Sequence, residues 1–404
     1  MTLKKFPRNK PNKGDRVLEE LTSTGDATGI EASTEEAREY QQLPFDPASL
    51  DIDTRAMTVH HIVQLTRLSE LILMPEYQRR YGLWDDHLQS RLIESLLLRL
   101  PIPSLYLSED DDGRYSVVDG VQRLSAIMRF VDPEALERHV DTRSSHPLRL
   151  VGLEYMSGFE GCTFRDLPFA LQRRILDTPL VMHVIRRGTP EIVKFNVFER
   201  INTGGLPLSG QELRSALIGG RARDILRALA DSPEFLEATA GSVSQERLAD
   251  QELILRYFAF DQIWPWEYFD HSVGKSFLND AMHAMNNWSH GFADKKIGDF
   301  KTAMANAARL FGEHAFRKVS LDTYRPFPIN RALFEAEAVL CGRISMVNRS
   351  TLAERRTTVT RRLAKELESN VDFWRAVSQA TGSARAVFTR FEVMQRIFER
   401  ADLA

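Results

Sequence analysis

The strongest constraint on the fold is a change of hydrophobic period near Gly205. From about residue 57 to 205, short apolar runs of strand length alternate with stretches spaced like amphipathic helices; beyond Gly205 the helical spacing persists alone. Such a chain is α+β: a mixed α/β domain over residues 51–208 and then an all-helical domain over residues 209–404. Within the first, Asp85 or Asp86 opens a helix with Leu88, Leu92, Ile93, Leu96 and Leu97 on one face, stopped by Pro101 and Pro103. Leu105-Tyr106-Leu107 reads as a strand, Glu109 to Gly113 as a turn, and Tyr115 to Val118 as the returning strand. Gly120 breaks that strand and a helix carrying Leu124, Ile127 and Met128 follows. Leu180 to Ile185 predicts another strand, and Glu191 to Arg200 another helix. Past Gly205, Ser209 and Glu212 have the spacing of a capping box.

Residues 1–50 read differently. Lys4, Lys5, Arg8, Lys10, Lys13 and Arg16 make the start basic, and Glu19, Glu20, Asp26, Glu31, Glu35, Glu36 and Glu39 follow among Thr, Ser and Gly. With few large apolar groups to offset the entropy of ordering, this stretch is expected to be a disordered tail, or an arm touching nucleic acid through its basic start. Over the 404 residues, 53 basic against 56 acidic side chains give a net charge of −3, which excludes a bulk electrostatic grip on DNA or an anionic membrane but not a local basic patch. No apolar run approaches the ~18 residues of a spanning helix, and the polar stretch Lys4 to Asp15 has no signal-peptide core. A soluble cytoplasmic protein is expected. Cys162 and Cys341 stand far apart, without the spacing of a disulfide framework or a zinc knuckle.

The chemistry concentrates in Val117-Val118-Asp119-Gly120-Val121-Gln122-Arg123-Leu124. A strand, a Gly turn and a helix start aim unpaired backbone N–H groups at one point, which favours an anion. Arg123 opposes the helix dipole there but suits a bidentate phosphate contact, and Asp119 suits a divalent metal or a water. The plain alternative is an Asp-Gly turn with a solvated Arg. A second segment, Met74 to Trp84, combines Pro75 with stacking faces from Tyr77, Tyr81 and Trp84 and with Arg79 and Arg80 for phosphates; it reads equally as an aromatic corner on the core. The third, Phe198 to Gly205, runs a helix end into a glycine-rich loop.

Together these segments resemble the GmrSD-type N-terminal domain family, known by P-x-[FY]-Q-R-x-Y-x-W, a P-[IL]-P turn, D-G-Q-Q-R, and R-I-N-x-G-G followed by L-x-x-x-E-L-R. They stand here as Pro75 to Trp84, Pro101-Ile102-Pro103, Asp119-Gly120-Val121-Gln122-Arg123, Arg200 to Gly205, and Leu208 through Glu212-Leu213-Arg214, in the family's order and strongest over about residues 57–220. The resemblance implies a ParB/sulfiredoxin-like fold whose strand–Gly–helix motif binds a nucleotide phosphate. It also implies anti-phage, modification-dependent restriction systems, in which this domain hydrolyses nucleoside triphosphates and helps sense modified DNA while a His-based nuclease domain cuts. Two departures stand out. Val121 replaces the usual first Gln, and no His-Ile/Val-x-Pro signature follows residue 220; His146-Pro147 lies earlier, and His283, His290 and His314 lack such a motif.

The expectation is therefore a sensor or regulatory protein that binds, and hydrolyses slowly if at all, a nucleoside triphosphate with Mg²⁺. Arg123 would clamp the phosphates with the Gly120 and Val121 backbone, Gln122 would orient the attacking water, and Asp119 would hold the metal or that water. Gln78, Arg79, Arg200 and Asn202 would line the cleft; Tyr77, Arg80, Tyr81 and Trp84 would touch DNA or a base. DNA and a separate effector nuclease or ATPase subunit are the expected partners, with no membrane, and a homo-oligomer is left open. The alternative is a non-enzymatic ParB-like DNA-binding or adaptor module. Other signals carry less. Gly274-Lys275-Ser276 ends like a phosphate loop, but its required glycine falls at Phe269, and adjacent His60 and His61 point apart. Glu252 and Arg256 fit a helix-surface bridge or a support beneath the site, and Arg355, Arg356, Arg361, Arg362 and Lys365 fit a solvated face or a DNA contact.

Overall fold

The computed structural model describes residues 18–21, 27–32, 50–73, 84–110, 112–137, 146–190, 193–197, 209–263, 268, 274–320, 327–344 and 351–403. The chain divides into two compact units, Leu43–Leu217 and Met1–Gln42 with Ile218–Ala404. The division falls after Leu217 rather than at 208/209.

The first departure from expectation lies in the N-terminal tail. Strands β1 (Glu19–Leu21) and β2 (Ala27–Glu31) form an antiparallel pair on the helical unit, with Ile30 fully buried in its core. Two of their acidic side chains, expected in a disordered tail, are ion-pair partners, and Glu19 accepts from the Gly29 amide at 2.7 Å. Glu20 takes two 2.9 Å hydrogen bonds from Arg331, and Glu31 accepts from Lys318 at 2.6 Å and Asn330 at 3.0 Å. The backbone adds Glu31 N–H to the Ile329 carbonyl and Ile329 N–H to the Gly29 carbonyl, each at 2.8 Å. This part of the stretch is held because its charges are compensated and Ile30 is covered, although Leu18 and Leu21 stay exposed.

The Leu43–Leu217 unit holds a five-stranded sheet in the order β3-β7-β5-β6-β4, formed by β3 (Ile52–Thr58), β4 (Leu71–Ile72), β5 (Leu105–Glu109), β6 (Tyr115–Asp119) and β7 (Pro179–Ile185). β3 pairs antiparallel with β7, β7 parallel with β5, β5 antiparallel with β6, and β6 parallel with β4. Helices α1 (Val59–Arg67), α2 (Asp86–Leu97), α3 (Val121–Val131), α4 (Pro133–Glu137), α5 (Phe169–Leu176) and α6 (Gly210–Leu217) complete it. Alternation explains the sheet: Leu180, Met182 and Val184 of β7 point into one core with Leu105, Leu107 and Val117, while Val181 and His183 point the other way. On that second face Val118, Ile185, Val193, Phe195, Val197 and Leu213 make a smaller cluster. Asp85 caps α2, accepting from Leu88 N–H at 2.8 Å. Leu92, Ile93, Leu96 and Leu97 are buried as spaced, but Leu88 in the first turn is exposed. Ser209 and Glu212 form the expected reciprocal cap at the start of α6. Of the helix expected over 191–200, the described residues 193–197 are helical.

The helical unit comprises α7 (Arg221–Ala230), α8 (Pro233–Thr239), α9 (Ala249–Gln262), α10 (Gly274–Asn286), α11 (His290–Phe311), α12 (Arg331–Gly342), α13 (Leu352–Ser369), α14 (Val371–Ser378) and α15 (Ala384–Glu399). Glu252 and Arg256 of α9 do pair, at 2.7 Å, but inside the fold rather than on a helix surface. Arg256 continues to Glu335 of α12 at 2.8 Å, and Glu335 also accepts from the buried Arg390 of α15. Two arginines of basic α13 stop other helices: Arg355 donates to the Ala401 carbonyl beyond α15, and Arg356 to the Arg309 carbonyl at 2.9 Å near the end of α11. No helix among the described residues is long and apolar enough to cross a membrane.

Candidate functional site

The strand–Gly–helix motif is built as its residue types require. Val117 and Val118 bury one on each face of the sheet, and Asp119 ends β6 half-exposed. Gly120 turns the chain with φ of 95°, and a Cβ there would lie 1.9 Å from Leu105 Cδ2. No side chain caps α3, and Leu124 N–H is the first to reach back, to the Gly120 carbonyl at 2.9 Å. The amides of Val121, Gln122 and Arg123 thus point outward from the positive end of the helix dipole.

Arg123 is engaged by groups of the protein itself. Its Nη1 donates to the carbonyls of Pro103 at 2.6 Å and Ser104 at 3.1 Å, and its Nη2 to Asp119 Oδ2 at 2.8 Å. Its side chain is 14% exposed against 37% for Asp119. The guanidinium therefore ties the Pro101-Ile102-Pro103 turn to the motif, rather than standing solvated as the plain reading had it. Nε has no partner among the described residues and remains a donor on the same planar fork.

Gln122 Oε1 accepts from Trp84 N–H at 3.0 Å, and Gln89 donates to the Trp84 carbonyl. Gln89 in turn accepts from Arg129 at 3.3 Å, and Arg129 pairs with Asp86 at 2.6 Å. The Trp84 ring is partly buried against the core of this unit. This clasp was missed in the sequence, because Gln89 and Arg129 sit at ordinary helix positions with no spacing signal. Tyr77, Gln78, Arg79, Arg80, Tyr81, Arg200 and Asn202 lie outside the described residues.

Val121, assigned to the site through its backbone, turns its side chain away from it. Its side chain is 5% exposed and belongs to the core, so only its backbone N–H faces the site. The first residue of α3 continues the apolar face of Leu124 and Met128, which turns it inward. Val121→Gln is accordingly expected to bury an amide without a partner and lose about 1–3 kcal/mol of stability, with no gain in turnover. Melting temperature and single-turnover hydrolysis check this; a fully stable, faster Val121→Gln protein would return the side chain to the cleft.

For a metal the fit is narrow. No group of His, Cys, Asp or Glu suited to a metal ion occurs among the described residues. Asp119 offers one carboxylate, already shared with Arg123. That suits Mg²⁺ only when phosphate oxygens and waters supply the remaining ligands, as is usual for nucleotide-bound Mg²⁺.

Residues 59–219 match the family model described as the GmrSD restriction endonuclease, N-terminal domain. Over these residues the chain is similar to the GmrSD N-terminal family. No curated protein matches the chain. The matched stretch runs from α1 through α6 and contains the whole Asp119–Arg123 motif, while β3, the edge strand paired to β7, precedes it.

Proposed function

We propose that the GmrSD-type domain binds the phosphates of a nucleoside triphosphate at the first turn of α3 and acts as a sensor in a restriction system. What carries the reading is the uncapped helix start, fixed by a left-handed Gly120 beside Arg123. Phosphate oxygens would take the outward amides of Val121, Gln122 and Arg123, with the Arg123 guanidinium adding charge. Asp119 would supply one ligand to the accompanying Mg²⁺, which neutralises phosphate charge. Gln122 is held by the Trp84 amide, so the arrangement favours binding and signalling over fast hydrolysis. DNA and a separate effector nuclease or ATPase subunit would read the bound state. The same engagement of Gln122 and Arg123 by protein groups favours, as second reading, a nucleotide-independent DNA-binding or adaptor module.

Calorimetric titration of the full chain with each of the four Mg²⁺–nucleoside triphosphates tests this. Arg123→Ala is expected to weaken the preferred one by about 1.5–3 kcal/mol, roughly ten- to a hundredfold, with a melting curve to show that the loosened Pro103 turn has not unfolded the domain. Unchanged affinity in the folded variant, or no binding of any triphosphate by the wild type, overturns the proposal. DNA binding indifferent to nucleotide would support the second reading.

A further inference from the structure

The sheet carries a line of side chains that the motif does not include. Thr54 pairs with His183 across β3 and β7, His183 with Tyr106 across β7 and β5, and Tyr106 with Asp119 across β5 and β6. Residues directly opposite on neighbouring strands project to the same face, which sets Thr54, His183 and Tyr106 in one row; at the register shift between Tyr106 and Leu107 that row meets the backbone of Asp119, the last residue of β6. Side-chain geometry agrees: Thr54 Oγ1 lies 2.9 Å from His183 Nδ1, and the His183 and Tyr106 rings stack with centroids 4.8 Å apart at 32°.

This end of the face is open. Val181 is 42% exposed, Ala56 and Thr54 are exposed, and Tyr106 and His183 are half-exposed, whereas the Val118–Ile185 cluster covers the other end. Neither the Tyr106 hydroxyl nor His183 Nε2 has a hydrogen-bond partner among the described residues. With strands ~4.8 Å apart, the ring pair lies one to two strand spacings, roughly 5–10 Å, from Asp119. α3 packs on the opposite face of the sheet, so a group whose phosphates sat at its first turn would reach these rings around the C-terminal end of β6.

We infer that Tyr106 and His183 form the platform for the nucleobase of the bound triphosphate, an inference that rests on the phosphate site proposed above. A flat π-face next to an anion site suits a base by stacking, which tolerates every base. The Tyr106 hydroxyl and His183 Nε2 add hydrogen-bonding groups at the rim that tell base edges apart. Thr54 positions the imidazole by fixing its Nδ1.

The test titrates the full chain with its preferred Mg²⁺–nucleoside triphosphate and with inorganic tripolyphosphate, which has phosphates and no base. Tyr106→Leu and His183→Leu are expected to weaken the nucleotide about tenfold or more and to leave tripolyphosphate affinity unchanged. Tyr106→Phe, which keeps the ring, is expected to retain most nucleotide affinity and lose discrimination among bases. Melting curves confirm folding of each variant. Folded Leu variants that bind nucleotide like the wild type overturn the platform and leave the phosphate site standing. Equal loss of both ligands overturns it too, because the residues then act through the fold. A wild type that binds neither ligand overturns the phosphate site and the platform with it.

Discussion

Glu335→Ala is expected to destabilise the helical unit by about 3–5 kcal/mol, the usual consequence of removing one partner from a buried ion network. The Glu335 side chain is 2% exposed, and each of its oxygens serves a different arginine: Oε1 takes Arg256 at 2.8 Å, and Oε2 takes Arg390. Arg256 keeps Glu252 at 2.7 Å. Arg390, also 2% exposed, would keep only the Thr381 carbonyl and its position over the Phe260 ring. A guanidinium cannot shed its charge, so the cost falls on the fold. Glu335→Gln keeps one acceptor and should cost less. Chemical denaturation of both variants checks this, and a loss below about 1 kcal/mol for Glu335→Ala would mean that water reaches Arg390.

Glu337, on the same helix, should make stability fall with rising pH. Burial raises its carboxyl from the ordinary 4.5 to about 8, against the pull of the Phe316 amide and of Arg317. The unfolded chain loses this proton near pH 4.5 and the folded chain near pH 8. The stabilisation is therefore complete below pH 4.5, declines between the two values, and is gone above pH 8, with a slope of at most about 1.4 kcal/mol per pH unit. Glu337→Gln, neutral throughout, should remove this decline and be more stable than the wild type at pH 8.5. Parallel wild-type and variant stability curves from pH 5 to 8.5 would contradict the assignment.

The local features of this fold were legible because local physics sets them. Alternation in Leu180 to Ile185, the Asp85 cap and the Ser209–Glu212 box each depend on residues within one or two turns. Glu20 and Glu31 were illegible for the opposite reason: their partners Arg331, Lys318 and Asn330 come from the far end of the chain, and a charge run without its partners looks solvated. The Glu252–Arg256 pair was visible as a spacing, but its burial depends on Glu335.

At the site the same division holds. Strand, Gly turn and helix start were readable, and the ordered motifs led to the family. The direction of Val121 was not, because the residue stands where a period of two gives way to one of 3.6. The Arg123 contacts with Pro103 and Ser104 and the Tyr106–His183 row depend on how strands register, and register leaves no local trace in composition.

Amide hydrogen exchange of the full chain, with and without a saturating Mg²⁺–nucleoside triphosphate, reads the first turn of α3 itself. Exchange is expected to slow in peptides spanning Asp119 to Leu124, where the outward amides of Val121, Gln122 and Arg123 would take phosphate oxygens. Unchanged exchange there while ligand is bound, or protection confined to the helical unit, would contradict it.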